Sequence, residues 1–111
     1  MNLTGTSLRA HSNSNNGSLN SETEMHFTSD EDFIIGHYSG GTIVAGHVLG
    51  KRISDTEAEL IYQGATDKGL IQAGKAHATF STDENNHLHM HLNWKWLTGD
   101  QTSGQSDWKQ V

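Results

Sequence analysis

The stretch from His87 to Trp96 alternates between hydrophobic and polar residues almost without exception. Successive side chains of a β-strand point to opposite faces, so this alternation predicts a strand with one buried and one solvated face. The predicted inner face consists of Leu88, Met90, Leu92, Trp94 and Trp96. The predicted outer face consists of His87, His89, His91, Asn93 and Lys95. Two indoles are therefore expected inside the fold and three imidazoles outside it.

Seven further segments of strand length are rich in β-branched and aromatic residues. Turn-forming residues separate them, as at Ser39-Gly40-Gly41 and Asp67-Lys68-Gly69. The predicted strands are Leu8–Asn13, Glu22–Thr28, Phe33–Ser39, Thr42–Arg52, Glu57–Gly64, Ala73–Thr82, His87–Thr98 and Ser106–Val111. The sequence thus predicts an all-β chain of about eight strands.

Short connections between successive strands favour antiparallel neighbours. A sheet of this many strands removes its exposed edges when it curls into a closed barrel. We therefore predict a small antiparallel up-and-down β-barrel, similar in architecture to calycins, with a β-sandwich as the alternative. The length of 111 residues fits one domain, 1–111. Glycines inside the predicted strands indicate bulges or strong bends; they are Gly36, Gly46, Gly50, Gly64 and Gly74.

Composition narrows the possible partners and locations. The chain carries 13 acidic and 7 basic residues, without a Lys/Arg cluster that could neutralise a row of phosphates, so nucleic acid is not expected as a partner. The absence of cysteine excludes disulfides, thiolate metal sites and a cysteine nucleophile. The first twenty residues lack the apolar core of a secretion signal, and no apolar run has membrane-spanning length. We expect a cytoplasmic protein that does not insert into membranes.

The aromatic residues of the predicted inner face suggest a binding function. Trp94 and Trp96, with Tyr62 and Tyr38 from other strands, could form a wall that holds a flat or amphipathic molecule inside the barrel. Met90 shares their face of the strand. These five residues are the predicted binding site for a small organic ligand. The alternative, favoured by the small number of strands, is that the rings only fill the interior.

The outward histidines suggest a different chemistry. Two imidazoles at alternate positions can bind one zinc ion if a neighbouring strand supplies a third ligand. A metal-dependent hydrolase using His87, His89 and His91 is therefore an alternative. Solvated histidines that titrate near neutral pH are the simpler interpretation, and we assign no metal site, cofactor or catalytic residue. The sequence contains no nucleophile elbow, phosphate loop, zinc-protease helix or dinucleotide fingerprint.

Several short motifs occur between about residues 9 and 106. They are Ser12-Asn13-Ser14-x-Asn16-Gly17, Ser21-Glu22-Thr23, Tyr38-Ser39-Gly40-Gly41-x-Ile43-Val44-x-Gly46-His47, Asp67-Lys68-Gly69, Gly74-Lys75-x-His77 and Trp94-x-Trp96-x-x-Gly99-Asp100. With these motifs the chain resembles a family of short bacterial proteins commonly labelled N-acetylglutamate synthase. The resemblance implies acetyl transfer and makes residues 12–17 an ordered hairpin turn. The chain departs from the family pattern because it has no proline.

Three functions are left open by the sequence. A module that binds a small organic ligand comes first, because it uses the aromatic inner face. A structural or protein-interaction module, including a homo-oligomer, comes second. An enzyme comes third, because an acetyltransferase holds the pyrophosphate of coenzyme A at a helix N-terminus and a glycine-containing turn, and the sequence predicts neither.

Overall fold

A computed structural model describes residues 2–13, 22–99 and 101–111, with the backbone alone at positions 12 and 13. Its eight strands are β1 (Ser7–Asn13), β2 (Glu24–Asp30), β3 (Ile34–Gly40), β4 (Ile43–Arg52), β5 (Glu57–Thr66), β6 (Ile71–Thr82), β7 (Leu88–Trp96) and β8 (Ser103–Gln110). Each strand pairs antiparallel with the next, and β8 pairs with β1 to close the barrel. The predicted up-and-down barrel is confirmed, and the β-sandwich alternative is wrong. Within the described ranges, no helix is long and apolar enough to cross a membrane.

The strand boundaries agree with the predicted ones to within two residues, except at the start of β8. This strand begins at Ser103 rather than Ser106, because Ser103 pairs with Lys95 and Gly104 pairs with Trp94. The small polar residues and the glycine of this stretch predict a loop, whereas in the structure their backbone continues the pairing with β7. Of the hairpin turn that the resemblance implies for residues 12–17, positions 14–17 lie outside the described residues, as does Asp100 of the last motif.

The alternation along β7 sorts the side chains as predicted. Leu88, Met90, Leu92 and Trp94 are buried, Trp96 is half-buried, and the histidines of the same strand lie on the outer face. The inner residues of all eight strands join one hydrophobic cluster. Burial of this cluster is the main favourable contribution to folding, because it removes apolar surface from water.

The barrel has two different ends. The connections β3–β4, β5–β6 and β7–β8 lie at one end, which we call the aromatic end because Tyr38, Tyr62 and Trp96 lie near it. The connections β2–β3, β4–β5 and β6–β7 lie at the other end, which we call the packed end. Large fully buried side chains fill this packed end, namely Leu3, Phe27, Ile34, Leu60 and Phe80.

A buried carboxylate fastens the segment before β1 to the packed end. The backbone N–H of Leu3 donates to Asp30 Oδ2 at 2.8 Å. Arg52 donates to both oxygens of Asp30, through Nε at 3.1 Å and Nη2 at 2.7 Å. Its guanidinium also lies 5.6 Å from the centre of the Phe80 ring. Burial acts to raise the pKa of Asp30, but the bonds from Arg52 and Leu3 outweigh it and hold this pKa below its usual 3.8.

The glycines inside the strands do not form the predicted bulges. Gly46, Gly50, Gly64 and Gly74 each have a regular partner on both neighbouring strands. The irregularities lie between Ala10 and Ser12, Phe27 and Ser29, Tyr38 and Gly40, and Ile43 and Ala45. Of the two predicted roles, a bulge or a strong bend, the bulge is wrong at those four glycines. A further reason for glycine applies there, the close approach of another side chain.

Candidate functional site

Tyr38 lies flat across two neighbouring strands. It stands opposite Gly46 on β4, and Gly46 stands opposite Gly64 on β5. A Cβ atom at Gly46 would lie 2.4 Å from Cζ of Tyr38, and one at Gly64 would lie 2.6 Å from the phenol oxygen. Both distances are too short for any side chain. The two bare backbone positions therefore fix the orientation of the ring.

Tyr62 is held in the same way one strand further round the barrel. It stands opposite Gly74 on β6, where an added Cβ would lie 2.6 Å from both Cζ and the phenol oxygen of Tyr62. Its ring meets that of Tyr38 edge to face, with centroids 6.3 Å apart and planes at 80°. Such edge-to-face contacts are the preferred arrangement of aromatic pairs.

Two indoles continue the line of rings. Trp96 stands on β7 opposite Gly74, and its ring centre lies 5.8 Å from that of Tyr62. Trp94 lies 5.7 Å from Trp96, with their planes tilted by 53°. Tyr38, Tyr62, Trp96 and Trp94 thus form one continuous set of ring contacts, which we call the aromatic row.

The two rings at the ends of the aromatic row are buried, whereas the two rings in its middle are partly exposed to solvent. Tyr38 and Trp94 are 5% and 4% exposed, whereas Tyr62 and Trp96 are half-buried. A molecule that approaches the aromatic end from solvent would therefore meet Tyr62 and Trp96 first. The buried rings stand on either side of that contact.

The aromatic row presents uncharged hydrogen-bond donors. Burial raises the pKa of the Tyr38 phenol above its usual 10, and burial together with the neighbouring Tyr38 raises that of Tyr62. Both phenols are therefore protonated at neutral pH. The Nε1–H group of Trp94 is also buried, and it has no hydrogen-bond partner among the residues that the structure describes.

The structure brings together four of the five residues predicted for the ligand site. Met90 is the exception, because it lies two inward positions from Trp94 toward the packed end, about 13 Å along the strand. There it stands opposite Phe80 and Trp108, fully buried. Met90 is part of the packed core rather than of the aromatic row.

Two features of the site were not found from the sequence. The sequence pattern predicts bulges or strong bends at the glycines under the tyrosine rings, and it gives no sign of the unpartnered Nε1–H of Trp94. The sequence does contain a signal for the glycines. Gly46, Gly64 and Gly74 all fall on the inner faces of β4, β5 and β6, where the alternation would otherwise place a large side chain. The second depends on the rotamer and neighbours of one indole, which alternation does not reveal.

The outer histidines of β7, and His87 just before it, are divided between two carboxylates. His89 Nε2 lies 3.2 Å and His87 Nδ1 lies 3.9 Å from Asp83 Oδ2, whereas His91 Nδ1 lies 2.6 Å from Asp107 Oδ1. Backbone N–H donation from His87, with further bonds from this turn, lowers the pKa of Asp83 to about 2. Within the described part of the chain, no three His, Asp or Glu side chains are arranged to hold one metal ion. The geometry gives the metal-hydrolase alternative no support.

A shallow groove of about 390 Å³ crosses the outer face of β5 to β8. Lys75, His77 and Lys95 line it together with other polar side chains. His77 bonds Glu59 at 3.1 Å and Glu57 at 3.0 Å, and these bonds, that of Glu59 first, raise the pKa of His77 above 6.5. The groove is thus a solvated polar face, and the aromatic row is the better candidate for binding an organic molecule.

Comparison with known proteins identifies the family to which this chain is related. The family model described as avidin-like protein matches residues 1–111, and that family has the calycin-type barrel seen here. No curated protein and no solved structure matches the chain significantly. The resemblance to bacterial proteins labelled N-acetylglutamate synthase and the cytoplasmic location are tested by none of these findings and stay predictions. The chain belongs to the avidin-like protein family, whose small β-barrels bind small ligands.

Proposed function

We propose that this protein binds a small organic ligand at the aromatic end of its barrel, with biotin as the first candidate. The observation that carries the proposal is the aromatic row, in which Tyr62 and Trp96 are accessible while Tyr38 and Trp94 are buried beside them. Ligand sites are typically concave, mostly aromatic or apolar, and found at the mouths of β-barrels. Membership of the avidin-like family makes biotin the natural probe.

The rings are suited to binding because their orientation is fixed before a ligand arrives. The glycines at 46, 64 and 74 hold the two tyrosines against the sheet, so little side-chain entropy remains to be lost. The packed end is filled by its own side chains and contains the charged pair of Asp30 and Arg52. The packed end is thus closed by its own side chains, which leaves the aromatic end as the place where a ligand would bind.

Calorimetry and tryptophan fluorescence with biotin test the proposal. We expect saturable binding, and we expect Trp96→Ala to weaken it about tenfold or more, because a stacking indole is lost. Trp108→Phe is the matched control, since Trp108 is fully buried opposite Met90 and outside the aromatic row. Biotin that produces no saturable heat or fluorescence change up to about 1 mM, the limit of weak binding, is rejected as the ligand.

A second candidate function is self-association through the outer face. Ile35, Leu49 and Ile61 stand opposite one another on β3, β4 and β5, and they are 42%, 55% and 62% exposed. Adjacent exposed aliphatic side chains of this kind often mark interaction surfaces. We expect the solution mass to rise with concentration and Leu49→Lys to abolish the rise. A monomer at all concentrations would contradict this candidate without affecting ligand binding.

A further inference from the structure

Two lysines face each other on the outer surface of the barrel, in the shallow groove that crosses β5 to β8. Lys75 on β6 and Lys95 on β7 are direct cross-strand partners, and both side chains are exposed. The Cβ atoms of such a pair stand about 5 Å apart, and like charges in this position repel each other. The chain has 13 acidic residues against 7 basic ones, so carboxylates are abundant. The pairing of two cations therefore requires an explanation.

The acidic side chains on this face of the sheet are bound by histidines rather than by the lysines. His77 Nε2 lies 3.0 Å from Glu57 Oε1, and His77 Nδ1 lies 3.1 Å from Glu59 Oε1. His91 Nδ1 lies 2.6 Å from Asp107 Oδ1. Neither lysine of the groove forms an ion pair or a side-chain hydrogen bond with any residue that the structure describes. Two ammonium groups are thus left without a counter-charge.

The groove adds uncharged polar groups beside the two ammonium groups. Asn93 precedes Lys95 by two residues on the same outer face of β7, and Ser103 on β8 is the cross-strand partner of Lys95. An ammonium group only donates hydrogen bonds, an amide NH₂ donates two, and a hydroxyl can donate one. Glu59 also lines the groove, and it is held by His77. The groove therefore combines two unpaired positive charges with further donors, a set that suits an oxyanion.

We propose that this groove is a further binding site, which holds one phosphate group between Lys75 and Lys95. The phosphate oxygens accept hydrogen bonds from both ammonium groups, and the amide of Asn93 adds a neutral one. Two cations match the charge of one phosphate group but not that of a polyanion, which the net charge of −6 also repels. The ligand is thus a small molecule. The aromatic row lies on the inner side of the same sheet, so both sites can be filled at once.

NMR of the lysine side chains tests the inference on the intact protein. The chain has five lysines, so their ε-CH₂ signals can be assigned with single Lys→Gln variants. At constant ionic strength, inorganic phosphate and methyl phosphate, each up to about 20 mM, should move the Lys75 and Lys95 signals saturably. The signal of Lys68, exposed in the β5–β6 connection, should stay in place. Acetate has a single charge and should have a smaller effect.

The outcomes of this titration are distinct. Saturation with inorganic phosphate alone assigns the free ion as the ligand, whereas saturation with methyl phosphate as well assigns the phosphate group of an ester. No saturable shift, an equal response to acetate, or equal shifts at all five lysines overturns the inference. None of these outcomes depends on whether biotin binds.

Charge-changing variants provide a second test. Lys75→Gln and Lys95→Gln should each weaken phosphate binding roughly two- to fivefold, the effect of one exposed ion pair. Lys68→Gln is the matched control, because it removes the same charge from an exposed turn and should leave the affinity unchanged. Glu59→Gln should strengthen binding, because it removes a repelling carboxylate from the groove. Equal affinities of Lys95→Gln and Lys68→Gln would overturn the inference.

Unfolding gives a readout that does not require signal assignment. Because the opposed lysines repel each other, Lys95→Gln should raise the urea midpoint at low salt, and the gain should vanish near about 1 M NaCl. Phosphate should raise the thermal midpoint of the wild type more than that of the Lys75→Gln/Lys95→Gln double variant, since only the wild type binds it. The double variant also corrects for the general stabilising effect of phosphate salts. Equal rises in the two proteins contradict the site.

Discussion

The phenol ring of Tyr38 occupies the space that a side chain at Gly46 would fill, since a Cβ there would lie 2.4 Å from the ring carbon Cζ. The two residues are direct cross-strand partners on β3 and β4. Tyr38 contributes a large ring, and Gly46, which has no side chain, leaves the space that the ring occupies. This complementarity places a large ring flat against a barrel wall.

Gly46→Ala should therefore destabilise the protein by about 1–3 kcal/mol, the usual effect of overpacking a filled interior. Denaturant unfolding measures the change. A double-mutant cycle provides the control, because in a Tyr38→Ala background the methyl group at position 46 meets no ring. Equal effects of Gly46→Ala in both backgrounds would show that the ring is not the cause.

Both tyrosines of the chain should titrate abnormally. Because burial raises their folded pKa values above 10, the phenols stay protonated in the folded protein where free tyrosine ionises. The stability that this protonation carries is complete below pH 10 and is lost as the pH rises further. Phenolate absorbance, followed together with circular dichroism, should therefore appear at a higher pH than in free tyrosine. Ionisation at an ordinary pKa in a folded protein would contradict the burial of the rings.

The contribution of Asp30 should disappear in acid. Its folded pKa lies below 3.8, so the stabilisation is complete above that pH and is lost as the pH falls through the folded value. Asp30→Asn should lower the free energy of unfolding at neutral pH by about 1–3 kcal/mol, since the bonds to Arg52 lose their charge. It should also flatten the acid dependence measured by urea unfolding.

Asp32→Asn is the matched control for Asp30. Asp32 is exposed in the β2–β3 connection, so its loss should change stability by no more than about 0.5 kcal/mol. An acid dependence that is identical in wild type and Asp30→Asn would rule out Asp30 as its source.

Ser106→Ala should create a second unpartnered indole inside the barrel. The hydroxyl of Ser106 accepts the bond from Trp108 Nε1, and both residues are fully buried. We expect a loss of about 1–3 kcal/mol in the free energy of unfolding. Ser81→Ala, on the exposed side of β6, should be nearly neutral. Equal stabilities of the two variants would show that the bond to Trp108 contributes nothing.

The fold was largely predictable because alternation is a local property. The sorting of β7 into an indole side and an imidazole side follows from the strand period of two and holds in the structure. Turn chemistry was equally local, and Gly40, Gly41 and Gly69 adopt the positive φ angles that their turns require. The start of β8 was missed because Ser103 and Gly104 join the ladder through their backbone.

The site was only partly predictable because it depends on register. Whether Tyr38 lies over a glycine is decided by its pairing with Gly46, and no local pattern reports that pairing. Likewise, Trp94 and Trp108 both point inward, yet only Trp108 donates its indole N–H to Ser106. Met90 was grouped with the indoles because it shares their face, although its depth in the barrel separates it from them.

The division of the barrel into a filled half and a ring-lined half has a practical consequence for protein engineering. Substitutions that raise thermal tolerance can be sought around Leu3, Phe27 and Phe80, which are buried at the packed end and are not part of the aromatic row. If the proposed function holds, ligand preference is to be changed separately, through a smaller ring at Tyr62 combined with a methyl group at Gly74. A small scaffold in which robustness and selectivity are adjusted independently is a good starting point for a made-to-order sensor.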